Sequence, residues 1–181
     1  SKTGYDFAGW YADAAFTEAA PAAMPAKNLT IYAKWTASGN TAYRVEHYLE
    51  NADADGYAPD GTENRTGTTG ETVTAELKNY GAGITYNAEK STASGTVAAN
   101  GSLVLKLYYD RMEYTAVFKQ DGMELKTETA RWGAAITPPE ATVPDGYTLS
   151  WSPALSDPPV MPAENTVYTA VLTAKGGIAY T

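Results

Sequence analysis

Gly4-Tyr5-Asp6-Phe7-Ala8-Gly9-Trp10, then Met24-Pro25-Ala26-Lys27-Asn28, then Leu29-Thr30-Ile31-Tyr32-Ala33-Lys34-Trp35-Thr36-Ala37 follow one another near the N-terminus. Near the C-terminus the order repeats as Gly146-Tyr147-Thr148-Leu149-Ser150-Trp151, Met161-Pro162-Ala163-Glu164-Asn165 and Thr166-Val167-Tyr168-Thr169-Ala170-Val171-Leu172-Thr173-Ala174. Three blocks in one order at nearly one spacing mean two copies of a single unit, with something different between them. Each block has a physical job. The glycine releases a turn into a strand whose alternate aromatic positions face a core. Met-Pro-Ala-x-Asn reads as a stiff extended approach and a turn, and the β-branched and aromatic run behind it closes a sheet.

The copies differ in what precedes them. Two strand-like runs, 114–119 and 124–131, lead into the C-terminal copy, separated by the turn Gln120-Asp121-Gly122. The N-terminal copy starts at its Gly-Tyr block without such runs. This predicts that the chain begins inside a repeat, whose sheet is incomplete or borrows pairing from a neighbour. Between the copies, Tyr43-Arg44-Val45-Glu46-His47-Tyr48-Leu49-Glu50 and Leu103-Val104-Leu105-Lys106-Leu107-Tyr108-Tyr109 alternate with period two, the mark of half-buried strands. Thr66-Gly67-Thr68-Thr69-Gly70-Glu71 reads as a flexible turn into 72–78, a short strand or a weak helix, and Asn100-Gly101 as another turn. The short junctions at 36–40 and 110–113 suggest a semi-rigid rod. The best helical segments are 11–20 and 72–80.

The 181 residues carry 13 Lys and Arg against 21 Asp and Glu, a formal charge of −8, so a basic footprint for nucleic acid or an anionic membrane is lacking. Zero Cys excludes a disulfide scaffold, a thiol nucleophile and thiolate metal sites. No run reaches the ~20 apolar residues that span a bilayer, and no signal peptide is visible. Targeting and anchoring segments of an exported parent are therefore expected outside this stretch. Apolar content leans on Ala and on 14 Tyr with only 3 Phe, and Tyr suits half-buried sheet faces, so small, thin cores are expected.

The N-terminal blocks, as Gly4-Tyr5-x-Phe7-x-Gly9-Trp10-Tyr11, Met24-Pro25-Ala26 and Leu29-Thr30-Ile31-Tyr32-Ala33-Lys34-Trp35, resemble the internalin B-type or Listeria-Bacteroides repeat of bacterial surface proteins. The C-terminal copy resembles it with departures: Leu149 and Ser150 precede its Trp, and Leu172 stands where Trp35 does. The middle segment, from Tyr43-Arg44-Val45-Glu46-His47-Tyr48-Leu49 through Leu107-Tyr108-Tyr109-Asp110, is similar to the mucin-binding-protein (MucBP) modules. These resemblances imply a β-rich α+β class: tandem small ubiquitin-like β-grasp modules, each a sheet crossed by one short helix, in an elongated arrangement. They divide the chain into 1–37, the C-terminal part of an internalin B-type repeat; 42–111, a MucBP-like module; 112–174, a second repeat; and 175–181, a linker or tail. They also imply a Gram-positive type of surface protein, extracellular or wall-attached. Its role is stalk or adhesion, with neighbouring repeats as partners and no catalytic motif to carry over.

The residues themselves supply little chemistry. His47 is the sole His and sits in a strand beside Val45 and Leu49, so a triad or a zinc site has almost nothing to work with. Asn51-Ala52-Asp53-Ala54-Asp55-Gly56 starts like a calcium loop, with Asn51, Asp53 and Asp55 as candidate ligands. The twelfth position, however, is Thr62 rather than Glu, and the flanks read as strands; a solvated polar loop is the competing reading. No cofactor is expected. Exposed aromatics are the usual anchors for a host or environmental glycan or glycoprotein, and Trp132 beside Gly133, with Tyr48 and Tyr108, are the ligand-binding candidates. Trp10, Trp35 and Trp151 lie in the repeat blocks, where a core role is more economical. Surface proteins of this class sometimes carry a Lys-Asn amide cross-link, which sequence does not locate here. Asn28-Leu29-Thr30 and Asn64-Arg65-Thr66 match the glycosylation sequon.

Overall fold

The computed structural model describes residues 1–176. The part of the expected tail from residue 177 on lies outside the described residues. Twelve strands follow in order: β1 (Tyr5–Tyr11), β2 (Tyr32–Ala37), β3 (Thr41–Glu50), β4 (Tyr57–Gly67), β5 (Thr72–Thr74), β6 (Ile84–Thr92), β7 (Ser94–Thr96), β8 (Val104–Arg111), β9 (Glu113–Gln120), β10 (Met123–Arg131), β11 (Tyr147–Ser152) and β12 (Thr166–Ala174). They form sheets β1-β2, β4-β3-β8-β6, β5-β7 and β10-β9-β12-β11.

The α+β, β-grasp expectation is overturned, because no helix occurs among the described residues and the sheets are small and open. Residues 11–20 illustrate why. The Asp13 carboxylate accepts hydrogen bonds from the backbone N–H groups of Ala15, Thr17 and Glu18, at 2.8, 3.1 and 2.7 Å, offering them a partner that competes with helical carbonyls. Ala12 N–H donates to Glu18 O and Ala20 N–H to Trp10 O, so the segment closes as a loop on the end of β1. In 72–80, period-two pairing wins: Thr72–Thr74 pair antiparallel with β7, and Ala75 N–H donates to Ala93 O. In the C-terminal copy, Pro138, Pro139 and Pro144 remove backbone donors from the connection between β10 and β11.

The chain divides into two compact units. The first comprises Ser1–His47, Asp60–Leu77 and Ala88–Leu107; the second Tyr48–Pro59, Lys78–Asn87 and the chain from Tyr108 on. In the first, Val45, Val97, Leu105 and Leu107 are buried. The hydroxyls of Thr41 and Thr69 bond each other there at 2.6 Å, so these buried polar groups are satisfied. Gly95 packs tightly: a Cβ on it would stand 2.8 Å from Leu103 Cδ1, so that side chain would have to shift.

In this unit β1 and β2 pair antiparallel as Tyr5↔Ala37, Phe7↔Trp35, Gly9↔Lys34 and Trp10↔Ala33. The step from Phe7 to Gly9 skips Ala8, a β-bulge. Its cause is legible: the Gly-to-Trp interval is one residue longer in this copy than in Gly146 to Trp151. Gly9, at φ +122°, absorbs the kink.

The second unit holds the four-stranded sheet β10-β9-β12-β11. β9–β10 and β11–β12 are antiparallel, whereas β12 runs parallel to β9 as Thr166↔Ala116, Val167↔Val117 and Tyr168↔Phe118. Ala116, Phe118, Ile136, Met161 and Tyr168 form its core, with Tyr114, Ala130, Trp151 and Leu155 packed against them. The Phe118 ring stacks on Tyr168 (5.1 Å, 17°) and meets Trp151 edge-on (5.1 Å, 79°). Burial pushes the Tyr168 phenol up, with Glu164 adding to it.

The two copies share hydrogen bonds as well as blocks. Tyr5 N–H donates to Lys2 O as Tyr147 N–H does to Pro144 O, and Ser38 N–H donates to Gly4 O as Lys175 N–H does to Gly146 O. Gly4 and Gly146 both take positive φ, +74° and +82°, the conformation their turn demands. Trp10↔Ala33 and Trp151↔Ala170 are the same rung.

Candidate functional site

The aromatic candidates separate into two settings. Tyr48 on β3 and Tyr108 on β8 stack with ring centroids 4.9 Å apart and planes at 16°, and Tyr57 on β4 meets Tyr108 edge-on at 5.1 Å. Each is half-buried, so each ring keeps part of its surface in solvent. Period-two alternation put Tyr48 and Tyr108 on strands, and pairing of β3 with both β4 and β8 brings the three rings together. Asp110 fixes the polar end: it accepts from the Tyr57 hydroxyl and, at 2.7 Å, from Asn87 Nδ2.

Trp132 is in the other setting. Its ring lies against Gly83, where a Cβ would approach Trp132 Cγ to 2.8 Å, and the Arg111 guanidinium sits 5.0 Å from the ring centroid. Arg111 also donates from Nη1 to Trp132 O (2.9 Å) and from Nε to Glu50 O (2.7 Å), while its backbone N–H donates to Glu50 Oε2 (2.8 Å). The buried Glu50 carboxylate also faces Arg131 Nε at 3.4 Å. Trp132 is therefore half-buried, with Gly83 packed against its pyrrole ring and the Arg111 guanidinium beside it.

Asn51, Asp53 and Asp55 lie together on the hairpin loop between β3 and β4, closed by Asn51 N–H to Gly56 O (2.8 Å). Asn51 Nδ2 donates to Asp55 Oδ1 at 2.6 Å, and this bond, with a further one involving Asp53, holds the Asp55 carboxyl below the usual range. The loop lines an open cleft of about 770 Å³ together with Arg111, Glu113 and Arg131. Among the described residues no three His, Cys, Asp or Glu converge as a metal site.

His47 is buried, with Nε2 3.3 Å from Glu63 Oε1. Arg65 bonds the same carboxylate through Nη2 at 2.6 Å and holds Glu63 below the usual carboxylate range.

Sequence reasoning missed the role of the Asn that ends the Met-Pro-Ala-x-Asn block. Asn165 Oδ1 accepts the backbone N–H of Thr115 at 2.9 Å, tying the start of β12 to β9. Its recurrence as Asn28 was the available signal. Glu50 and Arg111, whose job depends on Trp132 and Gly83, left no local signal.

No curated protein matches the chain. The family model of the Listeria-Bacteroides repeat domain matches residues 1–34, so the N-terminal copy is similar to a repeat typical of surface proteins.

Proposed function

We propose that the chain is a non-enzymatic stalk or adhesion segment of a large bacterial cell-surface protein of Gram-positive type, extracellular or attached to the wall. The repeat units are 1–37 and 112–174, separated by the MucBP-like segment 42–111. The observation that carries this reading is that the two copies share both their blocks and the rungs and turn bonds of one hairpin, β1-β2 and β11-β12. The match of residues 1–34 to a repeat typical of surface proteins supports the location. Antibodies against the chain are expected to label intact cells of the source bacterium, and surface proteolysis to release it. Labelling confined to lysed cells would overturn the proposal.

A second reading is a glycan or glycoprotein site on the Tyr48, Tyr57 and Tyr108 rings, favoured by their grouping with the Asp110 carboxylate. Stacked half-exposed rings next to acceptors are the chemistry that binds a sugar face and its hydroxyls. The purified chain on a glycan array decides it: binding that Tyr108→Ala abolishes supports this reading, and a blank array removes it.

A further inference from the structure

The carboxylates that are wholly or partly buried differ in what neutralises them. Glu46 has Arg44 at 3.0 Å, Glu63 has Arg65 at 2.6 Å, Glu128 has Lys126 at 2.7 Å, and Glu50 has Arg131 at 3.4 Å. Asp13 is satisfied instead by the three backbone N–H groups of its loop. Asp110 has neither kind of support. It is half-buried near the end of β8, its partners are the neutral Tyr57 hydroxyl and the neutral Asn87 amide, and among the described residues it makes no ion pair.

Each oxygen of Asp110 takes one of these bonds, Oδ1 from Tyr57 and Oδ2 from Asn87 at 2.7 Å. An ionised carboxylate offers about four acceptor positions, so about two remain. The two donors also hold the group in place. A charge drawn partly out of water without a counter-ion is unfavourable, and an arriving cation offsets that cost. The surroundings favour a cation as well, because the faces of aromatic rings are negative. Tyr57 joins the ring cluster to the carboxylate: its ring meets Tyr108, which stacks on Tyr48, and its hydroxyl donates to Asp110. All five residues belong to the second compact unit.

We propose that the tyrosine site takes a glycan carrying a protonated primary amine, an amino sugar whose nitrogen is not acetylated. The C–H face of the sugar lies on the rings and its ammonium donates to Asp110. A primary ammonium fits better than a quaternary one, since the remaining acceptor positions call for an N–H donor. An acetyl group on the same nitrogen removes the charge and leaves the carboxylate without a counter-ion. The proposal rests on the glycan reading of this site and selects within it.

The test is calorimetric titration of the full chain with a glucosamine trimer and with an N-acetylglucosamine trimer. The amino trimer is expected to bind about tenfold or more tighter, the worth of one charge-assisted hydrogen bond. Asp110→Asn keeps the side-chain shape and a carbonyl acceptor for the Tyr57 hydroxyl, so it should lose this preference while its urea midpoint stays near that of the unchanged chain. Diffuse attraction to the net charge of −8 survives the loss of one carboxylate, so a preference that persists in the variant overturns the proposal. The unchanged chain gives a second measure that needs no variant. At about 1 M salt, where charges are screened beyond about 3 Å, a preference carried by contact should persist in part, and its disappearance overturns the proposal. Equal affinity for the two trimers also overturns it and leaves the glycan reading standing, whereas binding of neither removes both.

Discussion

The N-terminal copy keeps Met24, Ile31 and Trp10 in contact with solvent, and the C-terminal copy buries Met161 and Tyr168 to 0% and 4% with Trp151 packed beside them. The turn glycines, the Trp–Ala rung and the Met-Pro-Ala-x-Asn block are the same in both. Among the described residues, β9 lies alongside the C-terminal copy and no strand takes that place beside the N-terminal one. Burial in these small sheets is thus a property of the strand that arrives alongside, and a two-stranded sheet by itself exposes the residues that would be its core.

Truncating the methionines sharpens this contrast most. Met161→Ala is expected to destabilise its unit by about 2–5 kcal/mol, as buried Met-to-Ala changes do. Met24→Ala should stay within about 0.5 kcal/mol, as at other exposed positions. Urea unfolding of the two variants measures both, and equal losses would mean that the N-terminal face is covered in solution.

The asparagines give a smaller version of the same test. Asn165→Ala removes the acceptor for Thr115 N–H and should cost about 0.5–1.5 kcal/mol, the net worth of one hydrogen bond. Asn28→Ala should cost next to nothing in the chain alone.

The bulge separates the copies in the opposite sense, since only the N-terminal one carries it. Gly9→Ala forces a side chain onto φ +122° and is expected to cost about 1 kcal/mol. A Cβ there meets only Tyr11 Cε2 at an ordinary 3.7 Å, so strain and not collision is being measured. Removing Ala8 together with Gly9→Ala, which restores the interval of the C-terminal copy, should recover part of that loss.

The smallest effect is in acid. Asp13 has its pKa lowered from 3.8, first by the Glu18 N–H, which outweighs the opposing desolvation, with the Thr17 and Ala15 donors lowering it further. A carboxylate with a depressed folded pKa contributes above its unfolded value and loses that contribution as pH falls through the folded one. The Glu18 amide resonance should therefore titrate with a midpoint below 3.8, and Asp13→Ala should abolish the titration while leaving β11 and β12 unaffected. A midpoint at or above 3.8 would show that the loop is open in solution.

The strands of the repeat were legible because their pattern is local. Tyr114 to Lys119, the turn at Asp121-Gly122 and the run to Arg131 emerge as β9 and β10 with little adjustment, and alternation from Tyr43 and up to Tyr109 marks β3 and β8. That 11–20 is a loop and not a helix was not legible because the decisive interaction was a side chain. Asp13 satisfies three backbone donors in a loop, which composition alone does not reveal. Of the candidate site residues, Tyr48 and Tyr108 meet as a stacked pair. Trp132, read as exposed beside Gly133, is half-buried against Gly83 and Arg111, which lie far from it in sequence.

Sequence by itself determined the strands of the repeat blocks and those at 43–50 and 103–109, the turn glycines and the fact of two copies, since backbone conformation and side-chain alternation are set by residues a few positions apart. Only the tertiary structure decided which copy has a core, which asparagine ties strands together and which tryptophan is covered. Each of these depends on a partner brought in from a distant part of the chain: β9 for Met161 and Asn165, Gly83 and Arg111 for Trp132. Matching blocks carry no record of whether that partner is present.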